Sequence, residues 1–254
     1  MQYARLKHAV VSVKEVESCA VLDKFIQHCN ADNTAFVDKP SYVDLELNTS
    51  DVGLQLAWNT RDQKPLKYHL DFEKLARQQR SFPAPKQGAF NQALGKKTKS
   101  IIDATGGWAG DAMLMCLQGY QVTLIERLPI MAALIEEAFL RLSKTNWAAD
   151  NQVLLPRVVW GNAHDVLPTL VDQADCVYLD PMFPARKKKK AASNKQMQLL
   201  QWLAGSDGDA SELAAIAKRH FPRVAVKRPD YALPLIVSPN DQFSSKLVHY
   251  DVYL

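Results

Sequence analysis

Ser100-Ile101-Ile102-Asp103-Ala104-Thr105-Gly106-Gly107-Trp108-Ala109-Gly110-Asp111 is the stretch on which the fold turns. Its first five residues are short and apolar with two isoleucines, as in a buried strand. They run into paired glycines and then into an apolar segment, 111–118, that reads as a helix closed by Gly119. A strand passing through a glycine turn into a helix is the opening unit of a doubly wound α/β sheet. The unit then repeats. Gln121-Val122-Thr123-Leu124-Ile125-Glu126 is the next predicted strand, and Pro129 sits in the first turn of a helix reaching about residue 144. In that helix Met131, Leu134, Ile135, Ala138 and Leu142 form an apolar stripe. Strands are predicted over 157–160, 175–179 and 223–226, the last after a helix over 211–219. Strands separated by helices are parallel, because a right-handed crossover places a helix between them. Residues 242–254 alternate like a strand with no helix before it, which predicts an antiparallel last arm of a hairpin.

Upstream of about residue 95 the texture differs. Ala9-Val10-Val11-Ser12-Val13, Tyr42-Val43-Asp44-Leu45-Glu46-Leu47 and Leu54-Gln55-Leu56-Ala57-Trp58 read as short strands, and residues 19–29 as a helix. They predict a small α+β N-terminal subdomain over 1–80. A connector rich in Pro, Gln and Arg (78–88) and a short helix over 89–94 lead into an α/β domain over 81–254.

The chain has 254 residues, of which 47% are hydrophobic and 23% charged, the balance of a globular protein. No apolar run approaches the roughly 18 residues that span a bilayer, and the N-terminus lacks the apolar core of a secretory signal. Cys19, Cys29, Cys116 and Cys176 are scattered with no CxxC pair, and the histidines show no ligand spacing. No disulfide framework, metal or membrane partner is expected, and the setting expected is the cytoplasm. The net charge of +4 is modest. Its distribution says more, because Arg186-Lys187-Lys188-Lys189-Lys190 is an unbroken basic run.

The glycine turn lies at the carboxyl edge of the sheet, where doubly wound folds bind ligands. Asp103, Gly107, Gly110 and Asp111 are the candidate cofactor residues there. Glu126 closes the second strand about 20 residues on, where an acid can accept hydrogen bonds from both hydroxyls of an adenosine ribose. A nicotinamide site would show G-x-G-x-x-G, which seats a pyrophosphate on the helix N-terminus. Here the order is Gly-Gly-Trp-Ala-Gly-Asp. Asp111 at the helix start repels a pyrophosphate but suits a ligand carrying an ammonium and a sulfonium, which favours S-adenosylmethionine.

Leu179-Asp180-Pro181-Met182-Phe183 follows the fourth strand at the same edge. An exocyclic base nitrogen is a poor nucleophile, because its lone pair is delocalised into the ring. The Asp180 carboxylate and the Pro181 carbonyl can hold its two N–H groups and aim the lone pair at a methyl sulfonium. Phe183 can stack on the base. Asp180, Pro181 and Phe183 are therefore the candidate catalytic set for methylation of a base amine, and on chemistry alone adenine, cytosine and guanine all qualify. The basic run emerges beside this motif, where RNA phosphates would pass. Lys227 and Arg228, at the end of the fifth strand, are further RNA-contact candidates.

Four strings carry a resemblance. They are Asp103-Ala104-Thr105 with Gly107 and Asp111; Glu126-Arg127 with Pro129; Val177-Tyr178-Leu179-Asp180-Pro181-Met182-Phe183-Pro184; and Val226-Lys227-Arg228-Pro229-Asp230-Tyr231. Over roughly residues 80–254 the chain resembles the bacterial ribosomal RNA small subunit methyltransferase J family. The resemblance implies a Rossmann-like, class I methyltransferase domain. It implies S-adenosylmethionine as cofactor, held at Gly110-Asp111, Glu126-Arg127, Asn162-Ala163 and Asp180. It also implies transfer to the N2 of a guanosine near the 3′ end of 16S rRNA, so the partner is small-subunit ribosomal RNA. Such a guanine must be unpaired or flipped out, because a duplex hides N2. The family shows Gly-Leu-Gly-Arg-Asp where this chain has Gly107-Trp108-Ala109-Gly110-Asp111, so a contact from that arginine side chain is lost. It also tends to carry small hydroxyl residues where Asn162 and Ala163 stand.

Three other readings remain at this level. The same motif serves adenine-N6 or cytosine-N4 methylation of DNA. The turn and Glu126 also fit a nicotinamide-dependent oxidoreductase. A non-enzymatic RNA-binding protein could keep the fold as a scaffold.

Overall fold

A computed structural model describes residues 2–6, 9–14, 20–31, 43–60, 63–182, 195–205 and 208–254. The N-terminal part contains β1 (Gln2–Leu6), β2 (Ala9–Lys14), α1 (Ala20–Ala31), β3 (Leu45–Ser50), β4 (Gly53–Thr60) and β5 (Gln63–Tyr68). The strands form one sheet in the order β1-β2-β3-β4-β5. β2 and β3 run parallel, across the crossover that contains α1, and the other neighbours are antiparallel. The third strand lies at Leu45–Ser50, later than the 42–47 read from the alternation of Val43, Leu45 and Leu47. β5 escaped the sequence reading because it is polar and contains Pro65. A proline is tolerated here because β5 is an edge strand.

After α2 (Phe72–Arg77) and α3 (Gly88–Leu94), the chain alternates as expected: β6 (Ser100–Asp103), α4 (Gly110–Leu117), β7 (Gln121–Glu126), α5 (Pro129–Ser143), α6 (Asn146–Asp150), β8 (Arg157–Trp160), α7 (Ala163–Val166), β9 (Cys176–Leu179), α8 (Lys195–Ala204), α9 (Ala210–His220), β10 (Val224–Pro229), β11 (Asp241–Ser244) and β12 (Val248–Tyr253). The sheet order is β11-β12-β10-β9-β6-β7-β8, with β10, β9, β6, β7 and β8 parallel. β12 is antiparallel to both its neighbours. The stretch 242–254 therefore holds both arms of the hairpin rather than one, turning where Ser245 bonds back to Val248.

Side chains leave each parallel strand alternately to two buried faces. Ile101, Val122, Leu124, Tyr178 and Ala225 pack with α3, α4 and α5 on one face. Ile102, Ile125, Val177, Val224 and Val226 pack with α7 and α9 on the other. Burial on both sides explains why these strands read as continuous apolar runs.

The N-terminal sheet joins the first of these faces. Val11, Leu22, Leu45 and Leu56 share one core with Leu134, Ile135 and Phe139 of α5. Phe72 stacks on Phe139 at 4.3 Å between ring centroids. Lys24 of α1 reaches Glu136 of α5 at 2.6 Å. Two aromatic contacts extend this packing toward the glycine turn. Trp58 of β4 stacks on Trp202 of α8 at 5.8 Å, and Tyr68 meets Trp108 at 5.7 Å. Among the described residues no helix is long and apolar enough to cross a membrane.

Candidate active site

The site forms where β6, β7, β9 and β10 end. The turn after β6 is tightly shaped. Gly106 approaches the second strand so closely that a Cβ there would lie 2.9 Å from Leu124 Cδ2 and 3.1 Å from Glu126 Cβ. Gly107 has φ +54°, and Ala109 has φ +56°, in the left-handed region that favours glycine. Ala109 thus keeps the backbone shape of a glycine while filling a buried position. The turn is fixed from both sides. Glu126 accepts the N–H of Gly107 at 2.7 Å through one carboxylate oxygen and that of Leu128 at 2.7 Å through the other. Thr105 Oγ1 accepts the N–H of Asp180 at 2.7 Å, which ties the turn to the end of β9.

Two cavities share this edge. The first runs from Thr105, Gly106 and Gly107 past Glu126 and Arg127 to Asn162 and Ala163. The second is lined by Asp103, Gly110, Asp111 and Lys227. Gly107, Asp180 and Pro181 line both. All the described cofactor and acceptor candidates from the sequence, Asp103, Gly107, Gly110, Asp111, Glu126, Arg127, Asn162, Ala163, Asp180 and Pro181, therefore meet at one edge. Phe183 and the basic run Arg186, Lys187, Lys188, Lys189 and Lys190 lie outside the described residues.

Individual side chains refine this picture. Arg127 reaches Asp209 at 3.6 Å and the Ala204 carbonyl at 3.5 Å, joining the second strand to the segment between α8 and α9. Asn162 caps α7, accepting the His164 N–H at 3.2 Å. Trp108 donates to the Gln196 carbonyl at 3.2 Å and packs against Tyr68, so it meets the N-terminal sheet and α8 while also lining the second cavity.

Both candidates on β10 sit differently from an exposed RNA contact. Lys227 points into the second cavity, with Nζ 2.9 Å from Asp111 Oδ2 and 2.9 Å from Asp180 Oδ2. Arg228, one residue on, leaves β10 on the other side. It is 8% exposed, and its Nε and Nη2 donate to the Leu233 carbonyl at 3.0 and 2.6 Å, anchoring the loop after β10.

The electrostatics follow from burial and crowding of like charge. Burial raises the Asp103 carboxyl, the Thr105 N–H opposes this, and the neighbouring Asp111 and Asp180 charges add to the rise, to about 7. Burial works against the Lys227 ammonium, but Asp180 and Asp111 outweigh it and hold it above the usual lysine value. Tyr178 is raised, first by burial and then by Asp180 and Asp111, so it stays a neutral donor. Its hydroxyl donates to Asp111 Oδ2 at 2.6 Å. Acids at this edge fit a cofactor bearing an ammonium and a sulfonium, and Glu126 at the end of β7 fits a ribose. Among the described residues no three His, Cys, Asp or Glu side chains could hold a metal ion.

The sequence reading missed the roof of the site. Leu200 of α8 lines both cavities, and Ala204 the first. The signal was present in Leu199, Leu200 and Leu203, one apolar face of a helix with glutamines on the other. It also missed Tyr178, which stands within a quoted string but reads as an ordinary buried strand residue.

A family model described as "Putative SAM-dependent methyltransferase" (SAM, S-adenosylmethionine) matches residues 31–254. Curated relatives are named ribosomal RNA small subunit methyltransferase J. One, from Hydrogenovibrio crunogenus, is 43% identical over 63% of this chain, and the match spans 59% of that protein's length. Another, from Shewanella loihica, is 38% identical over 78% of this chain and 79% of its own. A third, from Haemophilus ducreyi, is 39% identical over 69% of this chain and 71% of its own. Among solved structures, a SAM-dependent methyltransferase from Neisseria gonorrhoeae is similar with a TM-score of 0.66 and 22% identity. That match covers 96% of this chain and 95% of the other, and it shows the shared fold.

Proposed function

The chain belongs to the ribosomal RNA small subunit methyltransferase J family of SAM-dependent methyltransferases, and on that premise we propose that it methylates the N2 of guanosine 1516 in 16S rRNA. The observation that carries this reading is the position of Asp180 and Pro181 between two cavities, one closed by Glu126 and the other containing Lys227. The first cavity takes the adenosine, with Glu126 at the ribose and Asn162-Ala163 beyond it. The second takes the acceptor base and, beside it, the charged end of the cofactor, which Asp103 and Asp111 face.

When bound, the cofactor supplies an electrophilic methyl on sulfur. The protein's part is alignment and charge. The Asp180 carboxylate and the Pro181 carbonyl hold the N2 hydrogens and turn the nitrogen lone pair toward the methyl. With the cofactor bound, the N2–CH3 bond would form as the S–CH3 bond breaks, and the nitrogen would give up one proton, for which Asp180 is the adjacent acceptor. Phe183 covers the base, and Arg186 through Lys190 follow the phosphates of an unpaired rRNA segment in the cytoplasm.

The test pairs calorimetry with transfer. S-adenosylhomocysteine is expected to bind and NAD is not, and labelled methyl is expected to pass to small-subunit RNA. Binding of NAD alone supports an oxidoreductase. Binding of S-adenosylhomocysteine with transfer only to DNA supports the other amine methyltransferases.

A further inference from the structure

We propose that Lys227 reads the O6 of the target base, so that Asp180 and Lys227 together select guanine. The inference rests on the guanine reading above and assigns a residue to the choice. β10 lies beside β9 with Val226 opposite Leu179. The next residues, Lys227 and Asp180, thus leave neighbouring strands side by side, and both line the second cavity. Their charged atoms are 2.9 Å apart in an ion pair, so the two heads stand side by side where one base edge can meet both.

The order of donors and acceptors on the bases makes this pair selective. The pairing edge of guanine presents two donors, N2–H and N1–H, and then an acceptor, O6. A carboxylate beside an ammonium is its complement. Adenine and cytosine place an acceptor, a ring nitrogen, beside the amino group. A carboxylate that holds their amino group faces that lone pair, and adenine, with a C–H in the third place, leaves the ammonium without an acceptor as well. The motif 180–183 by itself does not discriminate in this way. Lys227 adds the donor that guanine O6 accepts and that the C2–H of adenine cannot.

Lys227 is also held for the task. An ammonium has three N–H groups. Asp111 and Asp180 receive two, which leaves a third for the base. The buried Tyr178 hydroxyl donates to the same Asp111 oxygen that Lys227 contacts, fixing that carboxylate from behind. The Lys227 side chain is 24% exposed, too enclosed for a mobile surface contact.

The alternative partner for Lys227 is the α-carboxylate of the cofactor, and the experiment separates the two. The substrate is a 3′ segment of small-subunit rRNA carrying either guanosine or 6-thioguanosine at the target. The thio base keeps N1–H and N2–H but has a weak acceptor at position 6. Wild type should prefer guanosine by about tenfold in kcat/KM. Lys227→Met should lower the guanosine rate and bring the preference to within about twofold, while Lys227→Arg, still a donor, keeps it. Affinity for S-adenosylhomocysteine should change less than about threefold in both variants. A Met variant with an undiminished preference overturns the proposal, as does a Met variant that loses S-adenosylhomocysteine binding while Arg restores it. Should the Met variant not fold, a wild-type preference near one overturns it equally. No methylation of guanosine by wild type refutes the guanine reading itself, before any preference is measured.

Discussion

The carboxylate of Glu126 bridges two backbones, accepting the Gly107 N–H at 2.7 Å with one oxygen and the Leu128 N–H at 2.7 Å with the other. The residue expected to bind the ribose therefore also shapes the glycine turn, and removing it has two effects. Glu126→Ala leaves two N–H groups without their acceptor, at about 1–3 kcal/mol each if they stay dry. The melting temperature should fall, and the Kd for S-adenosylhomocysteine should rise by about 100-fold or more. Glu126→Gln, which keeps one oxygen, should lose less of both. Near-normal affinity in the alanine variant contradicts this assignment.

Asp103 gives the site a pH dependence. Its folded value, about 7, is above the unfolded 3.8. Protonation therefore favours the folded chain. The contribution is complete below the unfolded value and is lost as pH rises through about 7. Cofactor binding runs the opposite way, because an ionised Asp103 attracts the cofactor's positive charge. SAM affinity should tighten between about pH 6 and about pH 7.5, and Asp103→Asn should flatten that slope while reducing the loss of apo-protein stability over the same range. Calorimetry and thermal melts at each pH measure both. A slope that survives in the Asn variant assigns the titration to another group.

The N-terminal sheet should support the roof of the site. Trp58 stacks on Trp202 of α8 with an interplanar angle of 27°, and α8 lies over both cavities through Leu200. A double-mutant cycle of Trp58→Leu and Trp202→Leu should show about 0.5–1.5 kcal/mol of coupling in stability. Either single change should raise KM for SAM more than it lowers kcat. Additive stabilities with unchanged KM would mean that the two aromatics only fill space.

These features were unequally legible. The parallel sheet was visible because strands buried on both faces, such as Ile101-Ile102 and Val177-Tyr178-Leu179, leave apolar runs between helices. Glu126 was visible because its place at the end of the second strand is set by the fold. Lys227 and Arg228 were legible only as one pair of RNA-contact candidates, because strand periodicity cannot show that they part company, one into the cavity and one under the Leu233 carbonyl. The role of α8 depends on long-range packing with Trp58, and no local pattern carries that information.

Asp180 is where binding and chemistry separate. Asp180→Asn keeps the side-chain size and the backbone bond to Thr105 but removes the charge beside the acceptor nitrogen. Turnover should fall by about 10²–10⁴-fold, with S-adenosylhomocysteine affinity within about tenfold of wild type. A loss of affinity equal to the loss of turnover would place Asp180 in cofactor binding alone.

Methylation of guanine N2 in ribosomal RNA at the Asp180 edge is a proposal that product analysis decides. Small-subunit RNA from cells lacking the gene, incubated with the purified protein and SAM, then digested and analysed by nucleoside mass spectrometry, tests it most directly. The expected product is a new N2-methylguanosine near the 3′ end of the RNA that does not form with the Asp180→Asn protein. N6-methyladenosine or N4-methylcytidine in its place, or RNA left unmodified by an enzyme that binds SAM, would contradict it.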